Sequence, residues 1–232
     1  MNIEILFEDD YLIIVSKPPC LLVHPCKMNK KDKENMLFRV RDHLGHYVFP
    51  VNRLDRAVSG IVIFAKNSYV AKSMKDLWHT ETTIKKYLAL SRGIYREAGV
   101  LDLPLTNEKK VKKDSLTLYK PLKLYPNATL LEVEIKTGRR HQIRRHFAKT
   151  VDHLLGDRLY GKKKYNDHFK ENYQLNRVFL HSHFFQFIHP YTDELLTINC
   201  ALYPDLKVVL RLLEGELLEN FSIPDYISLY EK

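Results

Sequence analysis

The chain has 232 residues, enough to bury a hydrophobic core as one large domain or two small ones. It is 45% hydrophobic and 28% charged, which is typical of a soluble globular protein, and no apolar run is long enough to cross a bilayer. The N-terminus lacks the features of a signal peptide, and three cysteines without a CxxC pair favour a reducing compartment. We therefore expect a cytoplasmic protein without a membrane anchor.

The formal net charge of +9 is concentrated in two stretches of the chain. Residues 109–123 contain six lysines and one acidic residue, and residues 136–149 contain six lysines and arginines and no acidic residue. The last 19 residues are acidic instead. Clustering of this kind favours a surface that binds a polyanion over an evenly charged shell. We expect one basic face, with the C-terminal segment away from it.

Hydrophobic alternation, helical spacing and capping residues predict strands and helices, without a repeat or a convincing domain boundary. Strands are predicted at residues 3–8, 11–17, 61–65, 85–93, 100–105, 116–119, 128–135, 179–188 and 194–198. Helices are predicted between Asn35 and Gly45, from Asn67 or Ser68 to Trp78, after Thr137-Gly138, and at residues 205–213. An ordered loop is predicted at 17–25 and a polar connection at 27–34.

Asp55 lies between Arg53 and Arg56, just before a small Ser-Gly pair and an apolar strand. Flanking cations favour the ionised form of a carboxylate, which suits a nucleophile or a charge stabiliser better than a proton donor. Taken alone, the stretch favours a surface turn with a local ion pair. A functional role for Asp55 therefore needs support from the rest of the chain.

Several well-known catalytic motifs are missing from the sequence, including the phosphate-binding GxxxxGK[ST] and GxGxxG loops, HExxH and GxSxG. The 11 histidines suggest a metal-dependent nuclease as an alternative, but their spacings match no zinc pattern and their basic neighbours would repel a cation. Cations near the start of the helix after Gly138 are poorly matched to the helix dipole, which favours a ligand-binding role for them.

Five motifs, in the right order, resemble those of the RluA family of pseudouridine synthases, and the likeness extends over roughly residues 3 to 200. The matching stretches are Val15 to Pro25 (NKPxGxxVH), Asn52 to Gly60 (HRLDxxTSG), Lys86-Tyr87 with Ala89 (K-x-Y-x-A), Leu101 to Leu105 (LDxPL) and Lys136 to His146 (TGRxHQIRxH). Leu155-Gly156-Asp157, Leu180-His181 and His189-Pro190 also align in order.

The resemblance implies a catalytic role for three residues. Asp55 would attack a flipped uridine, Arg144 would pair with Asp55, and Tyr87 would stack on the base and act as a general base. Arg53 would enter the helix stack when the target base is extruded. The remaining predicted RNA contacts are Lys17, His24, Arg56, Arg139, Arg140, His141 and Arg145.

The resemblance also implies an α+β fold, with a mixed, largely antiparallel sheet flanked by helices and a central RNA-binding cleft. Residues 1–232 would form a single catalytic domain without an N-terminal S4 domain, acting as a monomer without cofactor or metal. The short chain, the Val-His loop and the doubled arginine resemble the branch that modifies tRNA. Ribosomal RNA is the alternative substrate.

One departure concerns Asn52 and Val58, where the family usually has His and Thr. Asn can donate and accept a hydrogen bond as a neutral His does, but it cannot carry a charge. If the family His only orients the loop, activity should survive. If it contacts phosphate, the affinity or choice of target should change. A non-catalytic RNA-binding protein on the same scaffold is the second hypothesis, and retention of Asp55, Tyr87 and Arg144 argues against it.

Overall fold

A computed structural model of the chain describes residues 3–25, 34–216 and 218–220. The polar connection predicted at 27–34 lies outside the described residues except for Glu34, and so does most of the acidic C-terminal segment. The chain forms two compact units, of which one comprises Met1–Ile84 and Ser182–Cys200 and the other Lys85–His181 and Ala201–Lys232. The single catalytic domain expected for residues 1–232 stays a prediction.

The described residues form thirteen strands and five helices. In chain order they are β1 (Glu4–Glu8), β2 (Leu12–Lys17), α1 (Met36–Leu44), β3 (Phe49–Pro50), β4 (Ser59–Ala65), α2 (Ser68–Leu77), β5 (Ile84–Arg92), β6 (Gly99–Leu101), β7 (Leu105–Thr106), β8 (Lys112–Lys113), β9 (Thr117–Tyr125), β10 (Ala128–Ile135), α3 (Gln142–Thr150), α4 (Lys163–Tyr173), β11 (Leu180–Ile188), β12 (Leu195–Asn199), α5 (Pro204–Glu214) and β13 (Glu219–Asn220).

Local signals explain the helix boundaries of the first unit. The Asn35 side chain accepts a hydrogen bond from the backbone N–H of Phe38 at 3.0 Å and begins α1. Gly45 ends that helix in the left-handed conformation, with φ of 74°. Asn67, rather than Ser68, caps α2 by accepting from Val70 N–H at 2.9 Å.

The sheet of the first unit is built around β4. β2 and β3 pair antiparallel with β4, β1 pairs antiparallel with β2, and β11 and β12 form a hairpin. Every residue of β2 and β4 is buried, and α2 packs on the core that these strands form. The segment that carries Asp55 leads directly into β4, so the candidate catalytic loop is attached to a fully buried strand.

The sheet of the second unit is antiparallel in the order β5, β10, β9 and β13, and β6 pairs with β9. Leu88 and Leu90 of β5 join a core with Phe169 of α4 and with Leu206 and Val209 of α5. The predicted α+β class with a mixed, largely antiparallel sheet is confirmed. The central RNA-binding cleft stays a prediction.

Two predicted strands of the second unit have different bounds in the structure. The run at 100–105 is divided, because β6 pairs with β9 whereas β7 pairs with β8, and Pro104, which has no N–H to donate, lies between them. The strand predicted at 116–119 continues to Tyr125 as β9. It passes through Pro121 because the ladder with β10 has an irregularity at Leu130/Leu131, opposite that proline.

Helix α4 is absent from the sequence prediction. It buries only Phe169 and Tyr173 within eleven mostly polar residues, and its preceding residue, Lys162, makes no side-chain cap. The pattern was therefore too weak to indicate a helix. None of the helices in the described residues is long and apolar enough to cross a membrane.

Gly60, in β4, provides a test of the fold. Its φ is +115°, and a Cβ atom there would lie 2.1 Å from the carbonyl oxygen of Ser182. Gly45 also has a positive φ, but a Cβ atom there would meet nothing within 4 Å. We expect Gly60→Ala to lower the free energy of unfolding by about 3 kcal/mol or more, because backbone strain and overpacking combine.

Gly45→Ala is the matched control, and it should cost only about 1 kcal/mol from the left-handed backbone. Urea unfolding followed by circular dichroism measures both values. Equal losses in the two variants would contradict the close approach of Gly60 to Ser182.

Candidate active site

The loop that carries Asp55 is anchored to β4 by the side chain of Asn52. Its Oδ1 accepts a hydrogen bond from Ile63 N–H at 2.8 Å, and its Nδ2 donates to the carbonyl oxygen of Ile61 at 3.2 Å. The Asn52 amide thus pairs with β4 as a strand backbone would. This contact supports the interpretation that the residue at position 52 orients the loop.

A buried lysine provides the second anchor of the loop. The Lys17 ammonium donates to the carbonyl oxygens of Pro18 and Leu21, each at 2.7 Å, and to that of Arg56 at 3.4 Å. The Arg56 side chain in turn donates from Nε to the carbonyl oxygen of Cys20 at 3.2 Å. These contacts join the loop at 17–25 to the loop that carries Asp55.

The position of Lys17 differs from its predicted role as an RNA contact. Its relative exposure is 0%, so its ammonium has no surface at which a phosphate could be bound directly. The physical reason is that the carbonyl oxygens of Pro18 and Leu21 face the lysine side chain, and its ammonium satisfies them. We therefore assign Lys17 to holding the loop.

The other predicted site residues of the first unit lie in these two loops. Asp55 is half-buried, and its carbonyl oxygen accepts from Val58 N–H at 3.0 Å, which closes the turn. Arg53 and Arg56 are exposed. His24 is half-buried, and its Nδ1 lies 3.1 Å from the carbonyl oxygen of Pro25. The structure thus brings Asp55, Arg56 and the 17–25 loop together.

In the second unit, Tyr87 lies in the middle of β5, opposite Val133 of β10. Leu88 and Leu90 point into the core of this unit, so the half-buried Tyr87 lies on the other face of the strand. Lys85 shares the face of Tyr87 and is 2% exposed. Burial, assisted by Lys136 and opposed by Glu134, lowers the pKa of Lys85 to about 8.

Arg144 lies in the first turn of α3 and forms a two-point ion pair with Asp157. Its Nε donates to Asp157 Oδ2 at 2.7 Å, and its Nη2 donates to Asp157 Oδ1 at 2.8 Å. The guanidinium carbon also lies 5.1 Å from the centre of the Tyr160 ring, whose hydroxyl is 2.9 Å from Nδ1 of His141. The sequence indicated Asp157 only as part of an aligned motif, without a role.

Gln142 and His146 fix α3 to β9 and were not identified as such from the sequence. The Gln142 side chain donates to the carbonyl of Leu116 and to the hydroxyl of Thr117, each at 3.0 Å. Nδ1 of His146 is 3.0 Å from the same hydroxyl, and Nε2 is 2.9 Å from the carbonyl oxygen of Leu103. Burial lowers the pKa of His146, which favours a neutral structural ring over an RNA contact.

The structure brings the two basic stretches of the second unit together. Arg139 donates from Nε to the carbonyl oxygen of Asp114 at 3.0 Å, and Arg140 donates from Nη1 to Glu108 at 2.9 Å. Arg145 is half-buried, with Nη1 3.4 Å from the carbonyl oxygen of Arg140. The adjacent hairpin of β7 and β8 exposes four lysines, which are Lys109, Lys110, Lys112 and Lys113.

Comparison with known proteins identifies the family. The sequence model described as RNA pseudouridylate synthase matches residues 11–149. The tRNA pseudouridine synthase C of Vibrio cholerae is 36% identical over 222 residues, covering 86% of this chain and 91% of that protein. The protein of the same name from Haemophilus influenzae is 32% identical over 222 residues, covering 86% and 93%. The chain belongs to the RNA pseudouridylate synthase family.

Solved structures agree with this membership at the level of the fold. Human RNA Pseudouridylate Synthase Domain Containing 4 superposes with a TM-score of 0.73 at 22% identity, covering 94% of this chain and 95% of that one. Human RNA Pseudouridylate Synthase Domain Containing 1 gives a TM-score of 0.74 at 19% identity, covering 98% and 93%. The predicted resemblance to RluA-type synthases and the predicted isomerase class are confirmed.

The alternative of a metal-dependent nuclease has no support in the site. Among residues 3–25, 34–216 and 218–220, no group of three or more His, Cys, Asp and Glu side chains is placed to hold a metal ion. His146, one of the histidines that suggested it, is used in the contacts of α3 described above.

The Asn52 anchor can be tested through the histidine that the family usually carries at this position. Asn52→Ala would leave the buried N–H of Ile63 and carbonyl of Ile61 without these partners, so we expect it to lower the free energy of unfolding by about 1–3 kcal/mol. Asn52→His should retain most of the stability at pH 7.5, because a neutral imidazole has one donor and one acceptor.

The histidine variant should then lose stability as the pH falls below about 6.5, because a protonated ring cannot accept from Ile63 N–H. Urea unfolding at pH 7.5 and 5.5 measures this, with the wild-type protein as the reference for other titrating groups. An alanine variant as stable as the wild type would show that the anchor is not needed.

Proposed function

We propose that this pseudouridine synthase converts a uridine of structured tRNA into pseudouridine, with Asp55 as the catalytic residue. The Asp55 carboxylate bonds to C1′ as the N1–C1′ bond of the nucleotide breaks, the detached base turns, and the bond to Asp55 breaks as the C5–C1′ bond forms. C5 loses its proton and N1 gains one. The reaction exchanges one bond for another within a single nucleotide, so it requires no electron donor and no activated co-substrate.

The observation that carries this proposal is the anchored loop of Asp55 in a member of the family. Asn52 pairs with β4, Lys17 donates to the carbonyl oxygens of Leu21 and Arg56, and Arg56 donates to that of Cys20. A nucleophile that is already held in one orientation reacts faster, because ordering it costs no further entropy when the substrate binds. A loop that served only as a surface turn would not need a buried ammonium.

The assigned partners of Asp55 follow from the family resemblance. Arg144 pairs with the aspartate, and Tyr87 stacks on the base and acts as a general base within hydrogen-bonding distance of the sugar. Extruding a base from its stack costs a few kcal/mol, and Arg53, which is exposed, occupies the position left behind. The basic residues of α3 and of the β7–β8 hairpin bind phosphates without reading sequence.

Transfer RNA is the proposed substrate because the relatives that cover most of this chain carry that substrate in their names. A cytoplasmic location and a monomeric state remain part of the same proposal. Ribosomal RNA as the substrate and a non-catalytic RNA-binding protein are the alternatives that the following experiment separates.

Tritium release tests the catalytic assignment. Wild-type protein should release tritium from tRNA labelled at uridine C5 in the presence of a chelator. Asp55→Asn should reduce the rate by about 10³-fold or more, because the amide cannot act as the nucleophile. Asp42→Asn, which removes an exposed carboxylate of α1, is the matched control and should act at the wild-type rate.

Equal release by Asp55→Asn and the wild type would refute the role of Asp55. Release of tritium from ribosomal RNA but not from tRNA would mean that ribosomal RNA is the substrate. Salt-sensitive binding to tRNA without any release, even by the wild type, would favour the non-catalytic protein.

Salt dependence tests the basic hairpin. Replacing Lys109, Lys110, Lys112 and Lys113 by Gln should weaken tRNA binding and make the plot of log Kd against log salt concentration shallower. The slope should change by about 0.9 for each phosphate that the variant no longer neutralises. The matched control replaces Lys162, Lys163, Lys164 and Lys170, exposed lysines at and near α4, and changes the net charge equally. Equal effects of the two variants would mean that total charge, not the hairpin, binds RNA.

A further inference from the structure

The side chain of Asp157 has no exposed surface, and its carboxylate accepts four hydrogen bonds. Oδ2 accepts from Arg144 Nε at 2.7 Å. Oδ1 accepts from Arg144 Nη2 at 2.8 Å, from Leu159 N–H at 2.9 Å and from Tyr160 N–H at 3.1 Å. Burial by itself would raise the pKa of Asp157, but Arg144 and the two backbone N–H groups outweigh it and hold the pKa below its usual value. The carboxylate is therefore ionised at neutral pH.

The turn that carries Asp157 is itself held at both ends. The Asn166 side chain accepts from Gly156 N–H at 2.9 Å and donates to the carbonyl oxygen of Asp157 at 2.9 Å. Gly161 N–H donates to the same carbonyl at 2.9 Å. Because the backbone is fixed on both sides of Asp157, its carboxylate has little freedom to follow a moving arginine.

This geometry fixes the orientation of Arg144. A guanidinium is planar, so the two-point contact at Nε and Nη2 also determines the direction in which Nη1 points. The Tyr160 ring, from the same turn as Asp157, lies 5.1 Å from the guanidinium carbon and adds a further restraint. The turn at 157–160 thus determines which edge of the Arg144 guanidinium is bound and how its plane is oriented.

Stability alone is a weak reason for such an arrangement. Removing two charges from water costs free energy that their attraction often only just recovers, and apolar side chains of similar volume can be as stabilising. An apolar pair cannot supply a permanently charged guanidinium that is held in one orientation. Orientation of Arg144 is therefore the property that the buried carboxylate specifically provides.

We propose that Asp157 is a positioning residue that holds Arg144 in the orientation required for its catalytic partner. This inference rests on the proposed function, in which that partner is the Asp55 carboxylate. Asp157 touches neither substrate nor reacting atoms in this role. It acts only through the guanidinium of Arg144, so its loss should affect the rate of the chemical step and not the binding of tRNA.

Asp157→Asn separates the arginine contact from the turn. The remaining oxygen can still accept from Leu159 and Tyr160 N–H, whereas the new NH2 group meets Arg144 Nε–H, donor against donor. We expect the single-turnover rate of tritium release, measured with enzyme in excess over tRNA, to fall about 100-fold per folded molecule. The Kd for tRNA should stay within about twofold of the wild-type value.

Asp205→Asn is the matched control, because Asp205 forms the same two-point contact with Arg177, at 2.6 and 3.0 Å. It removes an arginine–aspartate pair of the same unit outside the proposed site. We expect the control to lose stability but to keep the wild-type rate per folded molecule. An equal loss of rate in both variants would mean that Asp157 is merely structural, and would overturn the proposal.

Arg144→Lys extends the test and replaces Asp157→Asn if that variant does not fold. Lysine keeps the charge beside Asp157 but cannot make the two-point contact, so its rate should also fall about 100-fold. The double variant should be no more than about threefold slower than either single one, because the two residues act as a unit. A wild-type rate for Arg144→Lys, or multiplied losses in the double variant, would overturn the inference.

The wild-type control separates failure of this inference from failure of the proposed function. If the wild-type protein releases no tritium from tRNA, the proposed function fails and this inference fails with it. If the wild type is active and Asp157→Asn is equally fast, only the inference fails.

Discussion

A buried cation must be met by acceptors, and this constraint determines the local structure around the candidate site in each unit. In the first unit, the Lys17 ammonium requires carbonyl groups, and it finds them in the 17–25 loop and at Arg56. In the second unit, Arg144 requires a carboxylate, and Asp157 supplies it from a turn. Each cation therefore fixes a loop or turn beside a candidate site residue. Removing either charge would take a hydrogen-bond donor away from each of these acceptors.

Helices and strands whose bounds are fixed by nearby residues could be predicted from the sequence. Those that depend on contacts with distant parts of the chain could not. Asn35 and Gly45 fix the ends of α1 through contacts within a few residues, so α1 was predicted with its boundaries. Helix α4 is stabilised by Phe169 and Tyr173 packing on a core formed by other elements, and its own sequence gives little sign of it. Strand β9 passes through Pro121 at an irregularity in its pairing with β10, where β9 carries one extra residue.

The candidate site shows the same division. The resemblance assigned Asp55, Tyr87 and Arg144, but a motif states which residues occur and not what each one touches. The sequence draws attention to Asn52 only because the family usually has His at this position. The structure shows that the Asn52 amide pairs with β4. The RNA contact of Lys17 stays a prediction, and its 0% exposure argues against a direct contact, because burial of the ammonium depends on the fold of the following loop. The sequence could not distinguish a buried lysine from an exposed one.

The energetics of the proposed reaction connect the basic surface to the anchored residues. Base extrusion costs a few kcal/mol, and chemistry cannot begin until that cost has been met. Phosphate contacts far from the reacting atoms can meet it, since binding energy from remote parts of a substrate can be used for distortion at the reacting centre. Lys109 and its neighbours on the hairpin suit that role because they are exposed and need no defined orientation. Arg144 suits the opposite role, because a cation that stabilises a reacting group must already be oriented when the base arrives.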